Sequence, residues 1–268
     1  MIPDSALVPT PAAGVYLSTV GFESVVTAIA AGLTSLAGDG PQLHAPPIIA
    51  RETIEQVGYP ETFPHLLGRV YAGPDPAESD VVLLPAACYG VYPLYAGERL
   101  TGPVEVGVTA TCFRQEADHE VGRLRSFRMR EFVRLDTADA LAWRDDRLAV
   151  SEKWLAALGL TVVREVASDP FFGRAQRMMR MLQLDRQLKI ELRVPVGPDQ
   201  LQAVASGNYH TDKFGQLYGI VGPDGEITHS ACLAFGYERL ALALMHRHGP
   251  DIDRWPDQVQ RTLGSGPA

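Results

Sequence analysis

The 268-residue sequence contains no uncharged apolar run near the about 18 residues that a membrane-spanning helix needs. A bilayer span is not expected. Its start, MIPDSALVPTPAAG, has neither a basic opening nor a continuous apolar stretch, so no secretory leader is expected and the cytoplasm is the expected compartment. Cysteine is scarce: three residues, an odd number set far apart, do not make a disulfide framework. Positive charge is in deficit, with 24 Lys and Arg against 32 Asp and Glu for a net charge of −8, which opposes broad binding to a phosphate backbone. Low-complexity linkers and internal repeats are absent as well. With 46% hydrophobic residues the chain has material for one sizeable core, so a single domain over residues 1–268 is expected.

What is present divides into helical and strand patterns. Phe22, Val25, Val26, Ile29, Leu33 and Leu36 recur at helical spacing over 22–37, where Gly38 and Gly40 end the run. Strands are read at 80–86, 104–116 and 126–136, a helix at 138–158, and a returning strand in TVVREVAS. A basic helix follows at about 172–184, then strands at 187–196, 201–207 and 215–221, and a last helix from Tyr237 to His248. Clustered strands with tight turns and few crossover helices favour an α+β fold with an antiparallel sheet flanked by helices.

Three segments hold the chemistry. TCFRQE at 111–116 places Cys112, Arg114 and Glu116 on one face of a strand, an anion clamp beside an acceptor for an exocyclic amine. The stretch ADHEVGRLRS reads as a hairpin loop turned by Gly122, with Arg123 and Arg125 in reach of a phosphate, and Phe132 in the next strand offers a flat surface for a base. Far downstream, CLAFGYERLAL at 232–242 opens a helix with a Gly-x-Glu-Arg sequence containing Arg239. Together these are the parts needed to grip a bent nucleoside triphosphate.

The combination resembles motifs 2 and 3 of the class II aminoacyl-tRNA synthetases, especially the seryl type. The resemblance spans most of the chain: 43–65 is similar to motif 1, while KIELRVPV and ASGNYHTDKFGQLYGI are similar to the stretch before motif 3. LLPAACYGVYP, SFRMREFVR and ASDPFFGR narrow it to the amino acid:[carrier protein] ligases, truncated relatives of an atypical seryl-tRNA synthetase. That resemblance implies a class II synthetase-like catalytic domain without a tRNA-binding domain, and a homodimer built through the motif 1 region. A seryl enzyme's long helical arm has no counterpart in a chain that reaches its first apolar helix by residue 22.

Residue by residue, the resemblance implies one Zn²⁺ per subunit in the amino-acid pocket, held by Cys88, Glu131 and Cys232. Zinc accepts thiolate and carboxylate ligands, and three protein ligands leave a position open for a substrate α-amino group. Cys232 and Ala234 stand where the class usually has glycines. Spacing alone forms no local zinc signature, and Cys112 is a rival ligand whose other reading is strand packing. The resemblance further implies that Arg114 binds the α-phosphate, Glu116 the adenine side and Arg239 the γ-phosphate. Arg123, Leu124 through its backbone, Lys189 and the run Ala203, Val204, Ala205 and Ser206 would also meet ATP, which would come with Mg²⁺. Seryl enzymes have a glutamate near the position of Gln202, a departure that bears on Mg²⁺ placement. His210, His229, His246 and His248 read as surface or core-edge residues.

The implied activity is that of a ligase. A small amino acid, glycine or alanine, is activated by ATP as its adenylate and passed to the phosphopantetheine thiol of a carrier protein. Carriers are acidic, and GRAQRMMRMLQLDRQLK at 173–189 offers Arg174, Arg177, Arg180 and Arg186 with methionines between them as a docking patch or, alternatively, a solvated face over a core. Other readings are a seryl-type tRNA synthetase, a non-catalytic amino-acid- or nucleotide-binding regulatory paralogue, and an adenylating enzyme with a different carrier and amino acid.

Overall fold

The segment SFRMREFVRLD forms the third of seven strands in the main sheet and turns its successive residues to the sheet's two faces, each of which is covered by other elements. The computed structural model describes residues 6–73, 77–115 and 122–264. In chain order the strands are β1 (Leu7–Pro9), β2 (Tyr16–Ser18), β3 (Gln42–Ala45), β4 (Ile48–Ala50), β5 (Arg69–Ala72), β6 (Ala77–Leu83), β7 (Val104–Phe113), β8 (Ser126–Asp136), β9 (Val163–Val166), β10 (Lys189–Gly197), β11 (Gln200–Thr211) and β12 (His229–Gly236). The helices are α1 (Val20–Thr34), α2 (Arg51–Gln56), α3 (Tyr59–Thr62), α4 (Ala140–Ala157), α5 (Gln176–Asp185), α6 (Lys213–Tyr218), α7 (Tyr237–His248) and α8 (Asp257–Thr262).

Seven strands form the main sheet in the order β3-β7-β8-β12-β11-β10-β9, antiparallel throughout except for the parallel β3–β7 pair. The antiparallel expectation thus holds. Helices α1, α4, α7 and α8 bury Phe22, Ile29, Leu33, Leu148, Leu155, Leu240, Leu244 and Val259 on one side of it. Each such side chain contributes roughly 1.5–3 kcal/mol by leaving water. The Thr19 hydroxyl caps α1 by accepting from the Phe22 amide at 3.3 Å. On the other side lie α2, α3, α6, a 3₁₀ turn at Ala87–Gly90 and the small β4-β6-β5 sheet, packed on Val106, Val108, Ala110 and Val133.

Several boundaries differ from expectation. The segment 80–86 belongs to β6 of the small sheet, not the main one. The strand read to residue 116 ends at Phe113, so Arg114 leaves the sheet instead of continuing its alternation. Residues 215–221, expected as a strand, contain most of α6, which Gly219 closes in the left-handed conformation at φ 64°. On α4, Leu148 and Leu155 are fully buried and Leu141 is exposed. Among the described residues no helix is long and apolar enough to cross a membrane.

Candidate active site

A cavity of about 500 Å³ opens on the sheet face turned away from α1, α4 and α7. Its floor is made by the same-facing residues of four adjacent strands. Phe127, Met129 and Glu131 come from β8, Cys232 and Ala234 from β12, Ser206 and Asn208 from β11, and Lys189 and Glu191 from β10. Strand parity therefore selects the site. The 3₁₀ turn at Ala87–Gly90 supplies Cys88, while Tyr59 and Phe63 of the α3 region, Phe171, and Met179, Leu182 and Gln183 of α5 form the rim. Phe63 stacks on Phe171 with centroids 5.5 Å apart.

Within this cavity the sulfurs of Cys88 and Cys232 and a carboxylate oxygen of Glu131 all lie within 4.8 Å of one another. Register explains half of it: Ala234 pairs with Glu131, so Cys232, two residues earlier, is a diagonal neighbour on the same face. The Cys88 amide donates to Glu131 Oε1 at 3.1 Å and fixes the turn against the sheet. All three residues are buried. The hydrogen bond to the Cys232 sulfur, then burial and the Glu131 charge, push the Cys88 thiol well above its ordinary pKa. For Cys232 the bond to Cys88 acts downward, yet burial and Glu131 outweigh it and the thiol is raised. Three groups able to become anions in one dry pocket call for protons or a cation. Tetrahedral zinc places its donors about 2.0–2.3 Å from the ion, hence roughly 3.3–3.8 Å from each other, and the three donor atoms here all fall within 4.8 Å. The donor set fits zinc. Cys112 stays outside the cluster, fully buried in β7, where burial first and Glu131 second raise its thiol.

Both arginines singled out in the sequence line the same cavity. Arg114 donates from Nε to the Pro85 carbonyl at 3.2 Å, its guanidinium 5.4 Å from the centroid of the Phe127 ring. Arg239 donates from Nε to the Gly122 carbonyl at 2.9 Å and from Nη1 to that of Ala203 at 3.2 Å. Gly122 adopts φ +83°, and a Cβ there would meet Arg239 Cγ at 3.2 Å, so the turn needs glycine to offer that carbonyl. Leu124, Lys189, Ala203, Val204, Ala205 and Ser206 also line the cavity, whereas Arg123 is not among its lining residues. Glu116 lies outside the described residues.

Two expectations need correction. Phe132 offers no surface to a base: it is fully buried on the opposite face of β8, packed edge-on to Phe235 at 6.4 Å. Its even position in the strand sends it into the helix-covered core, and Phe127 is the β8 aromatic that reaches the cavity. His210, read as a surface or core-edge residue, lines the cavity between Tyr92 and Phe214. Burial, with Lys213 nearby, pushes its pKa down to about 3, so the ring is neutral.

Other lining groups were not read as site residues. Asp169 accepts from Lys189 Nζ at 2.6 Å and from Gln183 Nε2 at 2.8 Å, tying α5 to β10. Burial pushes the Asp169 carboxyl upward, but Lys189 and Gln183 outweigh it and hold it below the ordinary range. Burial likewise acts downward on the Lys189 ammonium, and Asp169 with Glu191 raises it. Glu238, at the start of α7, accepts from the Arg128 amide at 2.8 Å and from Arg128 Nε at 2.7 Å, while the far end of Arg128 reaches both oxygens of Glu23 on α1. Asn208 and His210 share parity with Ser206 and become visible once β11 is carried to Thr211. Asp169 has no such signal, because a loop brings it in.

No family model matches the chain. Among curated proteins it is 41% identical, over an alignment of 280 positions covering 95% of this chain and 86% of the relative, to amino acid–[acyl-carrier-protein] ligase 1 of Bradyrhizobium diazoefficiens. Ligase 2 of the same organism is also 41% identical, with 94% and 83% covered. A type-2 serine–tRNA ligase of Methanococcus aeolicus is 28% identical over 69% of this chain and 38% of its own length. Of solved structures, the seryl-tRNA synthetase of M. kandleri in complex with A. aeolicus tRNASec superposes with TM-score 0.79 at 19% identity, covering 96% of this chain and 58% of that one. The prolyl-tRNA synthetase of Cryptosporidium parvum gives 0.69 at 14%, with 96% and 52% covered. These structures share the class II aminoacyl-tRNA synthetase fold with this chain, and the two Bradyrhizobium relatives, matched nearly end to end, show that it belongs to the amino acid–[acyl-carrier-protein] ligase family.

Proposed function

We propose that the protein activates a small amino acid, glycine or alanine, with Mg-ATP and transfers it to the phosphopantetheine thiol of a carrier protein. The observation that supports this reading is the meeting of Arg114, Arg239 and the Cys88–Glu131–Cys232 cluster in one cavity of a chain from this family. Cys88, Glu131 and Cys232 would hold zinc, which supplies an open coordination position for the substrate α-amino group. The amino-acid carboxylate then attacks the α-phosphorus, the bond to the bridging oxygen breaks, and pyrophosphate leaves. Arg114 at the α-phosphate and Arg239 at the γ-phosphate meet the charge as it develops. Lys189, aimed by Asp169 and Glu191, adds a cation to the same wall, and the run from Ala203 to Ser206 shapes the nucleotide side. Phe127 takes over the base-stacking task first assigned to Phe132. Glu116 keeps its adenine-side role in this reading, and Arg123 and Leu124 contact the nucleotide from the loop.

In the second step the carrier thiol attacks the adenylate carbonyl carbon, the carbon–oxygen bond to phosphate breaks, and AMP leaves as the thioester forms. The thiol proton goes to the departing phosphate side. Zinc ligands and Ala234 crowd the amino-acid end, favouring a small side chain, although serine's hydroxyl is poorly rejected by size alone. An acidic carrier would dock on α5, none of whose residues is buried; Met178 and Met181 are 70% and 61% exposed, and Arg174, Arg177, Arg180 and Arg186 are exposed with them. The chain works as one catalytic domain in a cytoplasmic homodimer and takes no tRNA.

The test is an amino-acid-dependent ATP/pyrophosphate exchange panel with and without a zinc chelator, followed by acylation of a phosphopantetheinylated carrier and of bulk tRNA. Exchange with glycine or alanine that collapses on chelation, and label on carrier alone, is the expected outcome. Label on tRNA, or no exchange with any amino acid, would overturn the reading.

A further inference from the structure

One side-chain constellation around the cluster has no part in the steps above. Cys232 Sγ is approached by Asn208 Nδ2 at 3.5 Å and by His210 Nε2 at 3.7 Å. On the other side of the His210 ring, Nδ1 lies 3.1 Å from Ser230 Oγ and 3.4 Å from the Tyr92 hydroxyl. Ser230 and Tyr92 are both fully buried. A hydroxyl can donate to an imidazole nitrogen, and a thiolate can only accept. With Nδ1 accepting from Ser230 or Tyr92, the ring hydrogen sits on Nε2 and points at the Cys232 sulfur.

We propose that His210 and Asn208 form a two-donor cradle that fixes Cys232 as the anchored ligand of the metal cluster, with His210 a positioning residue whose tautomer is set by Ser230 and Tyr92. This rests on the zinc reading above and adds to it the groups that prepare one ligand. Two thiolates and a carboxylate around one dication leave a surplus negative charge, and N–H donors aimed at one sulfur spread that charge without competing for the metal. The cradle is built on neighbouring strands: Asn208 pairs directly with Cys232 in the β11–β12 register, and His210 follows two residues along the same face. Cys88 differs in its setting, a short 3₁₀ turn held to the sheet by its amide's hydrogen bond to Glu131. Cys232 is thus the ligand whose donors are preset.

The experiment measures zinc affinity by competition with a colorimetric chelator, and the visible spectrum of the cobalt(II)-substituted protein, for the wild type, His210→Phe and His210→Gln. The phenyl ring fits between Tyr92 and Phe214 but has no donor, whereas the glutamine amide restores one near Nε2. His210→Phe should bind zinc about 10- to 100-fold more weakly and shift the sulfur-to-cobalt charge-transfer band, while His210→Gln stays near wild type in both. If circular dichroism finds the Phe variant unfolded, Asn208→Leu takes its place with the same weakening expected. Wild-type zinc affinity and an unshifted band in the donor-less variant would overturn the cradle alone; a Gln variant as weak as the Phe variant would do the same. A wild-type protein that binds no zinc would overturn the metal reading together with it.

Discussion

Replacing Phe132 by leucine separates a core role from a nucleotide-stacking role. The side chain is fully buried and meets Phe235 edge-on at 6.4 Å, with the Arg130 guanidinium 5.1 Å from its ring centroid. Leucine keeps most of the apolar volume, so repacking costs less than about 1.5 kcal/mol. Loss of the aromatic pair adds about 0.5–1.5 kcal/mol. The sum, about 0.5–3 kcal/mol, lowers Tm by roughly 1–12 °C at about 2–4 °C per kcal/mol for a chain of this size. Because the ring points away from the cavity, the KM for ATP in pyrophosphate exchange should not change. The companion Phe127→Leu, whose ring lines the cavity beneath Arg114, should raise that KM severalfold with little change in Tm. Differential scanning calorimetry and the exchange assay measure both quantities on the same preparations. An unshifted Tm with a raised ATP KM for Phe132→Leu would refute the strand-parity argument on which the cavity assignment rests.

Other expectations follow from the same geometry. Arg114→Ala or Arg239→Ala should lower exchange kcat by about 10²–10³-fold while leaving zinc content unchanged by plasma mass spectrometry. Cys88→Ser should lose the metal, and Cys112→Ser, outside the cluster, should keep it. Charge reversal by Arg177→Glu with Arg180→Glu should weaken carrier acylation in a salt-dependent way and spare exchange, read from initial rates at two ionic strengths. The Glu23 carboxyl is held below its ordinary pKa of 4.5 by its hydrogen bond from Arg128, against the smaller upward push of burial. Its stabilisation is therefore present above pH 4.5 and lost as pH falls through the lower folded value, so Glu23→Gln should flatten the acid limb of a urea-stability profile below about pH 4.5.

How far the chain can be read without coordinates depends on whether a residue's neighbours are set by local periodicity. The strand 126–136 and the helix 237–248 were legible in the sequence, because a run of β-favouring residues and a Gly-x-Glu-Arg start leave little freedom. The cluster was legible only through resemblance: its members stand 43 and 101 residues apart, and no local rule joins a 3₁₀ turn to two strands. The base-stacking assignment failed on parity, since Glu131 faces the cavity and its neighbour Phe132 cannot. Ending β11 at 207 hid Asn208 and His210: the strand runs on to Thr211, with a register irregularity at His210 that no sequence pattern announces. The segment 215–221, expected as a strand, instead holds a helical turn that Gly219 closes and that packs on β12. Asp169 lies in ASDPFFGR with no local signal of its role, as only the fold brings it to Lys189.

The Arg128 side chain spans three elements, with Glu238 gripping its near end and Glu23 its far end. Deleting α1 would thus do more than strip a helix from the core. It would discard the outer acid and leave Arg128 held by Glu238 alone, at its amide and Nε. An N-terminal truncation would also take Phe22, Val25, Ile29 and Leu33 out of the core, so the helix-covered layer and the cavity wall at Glu238 would loosen together.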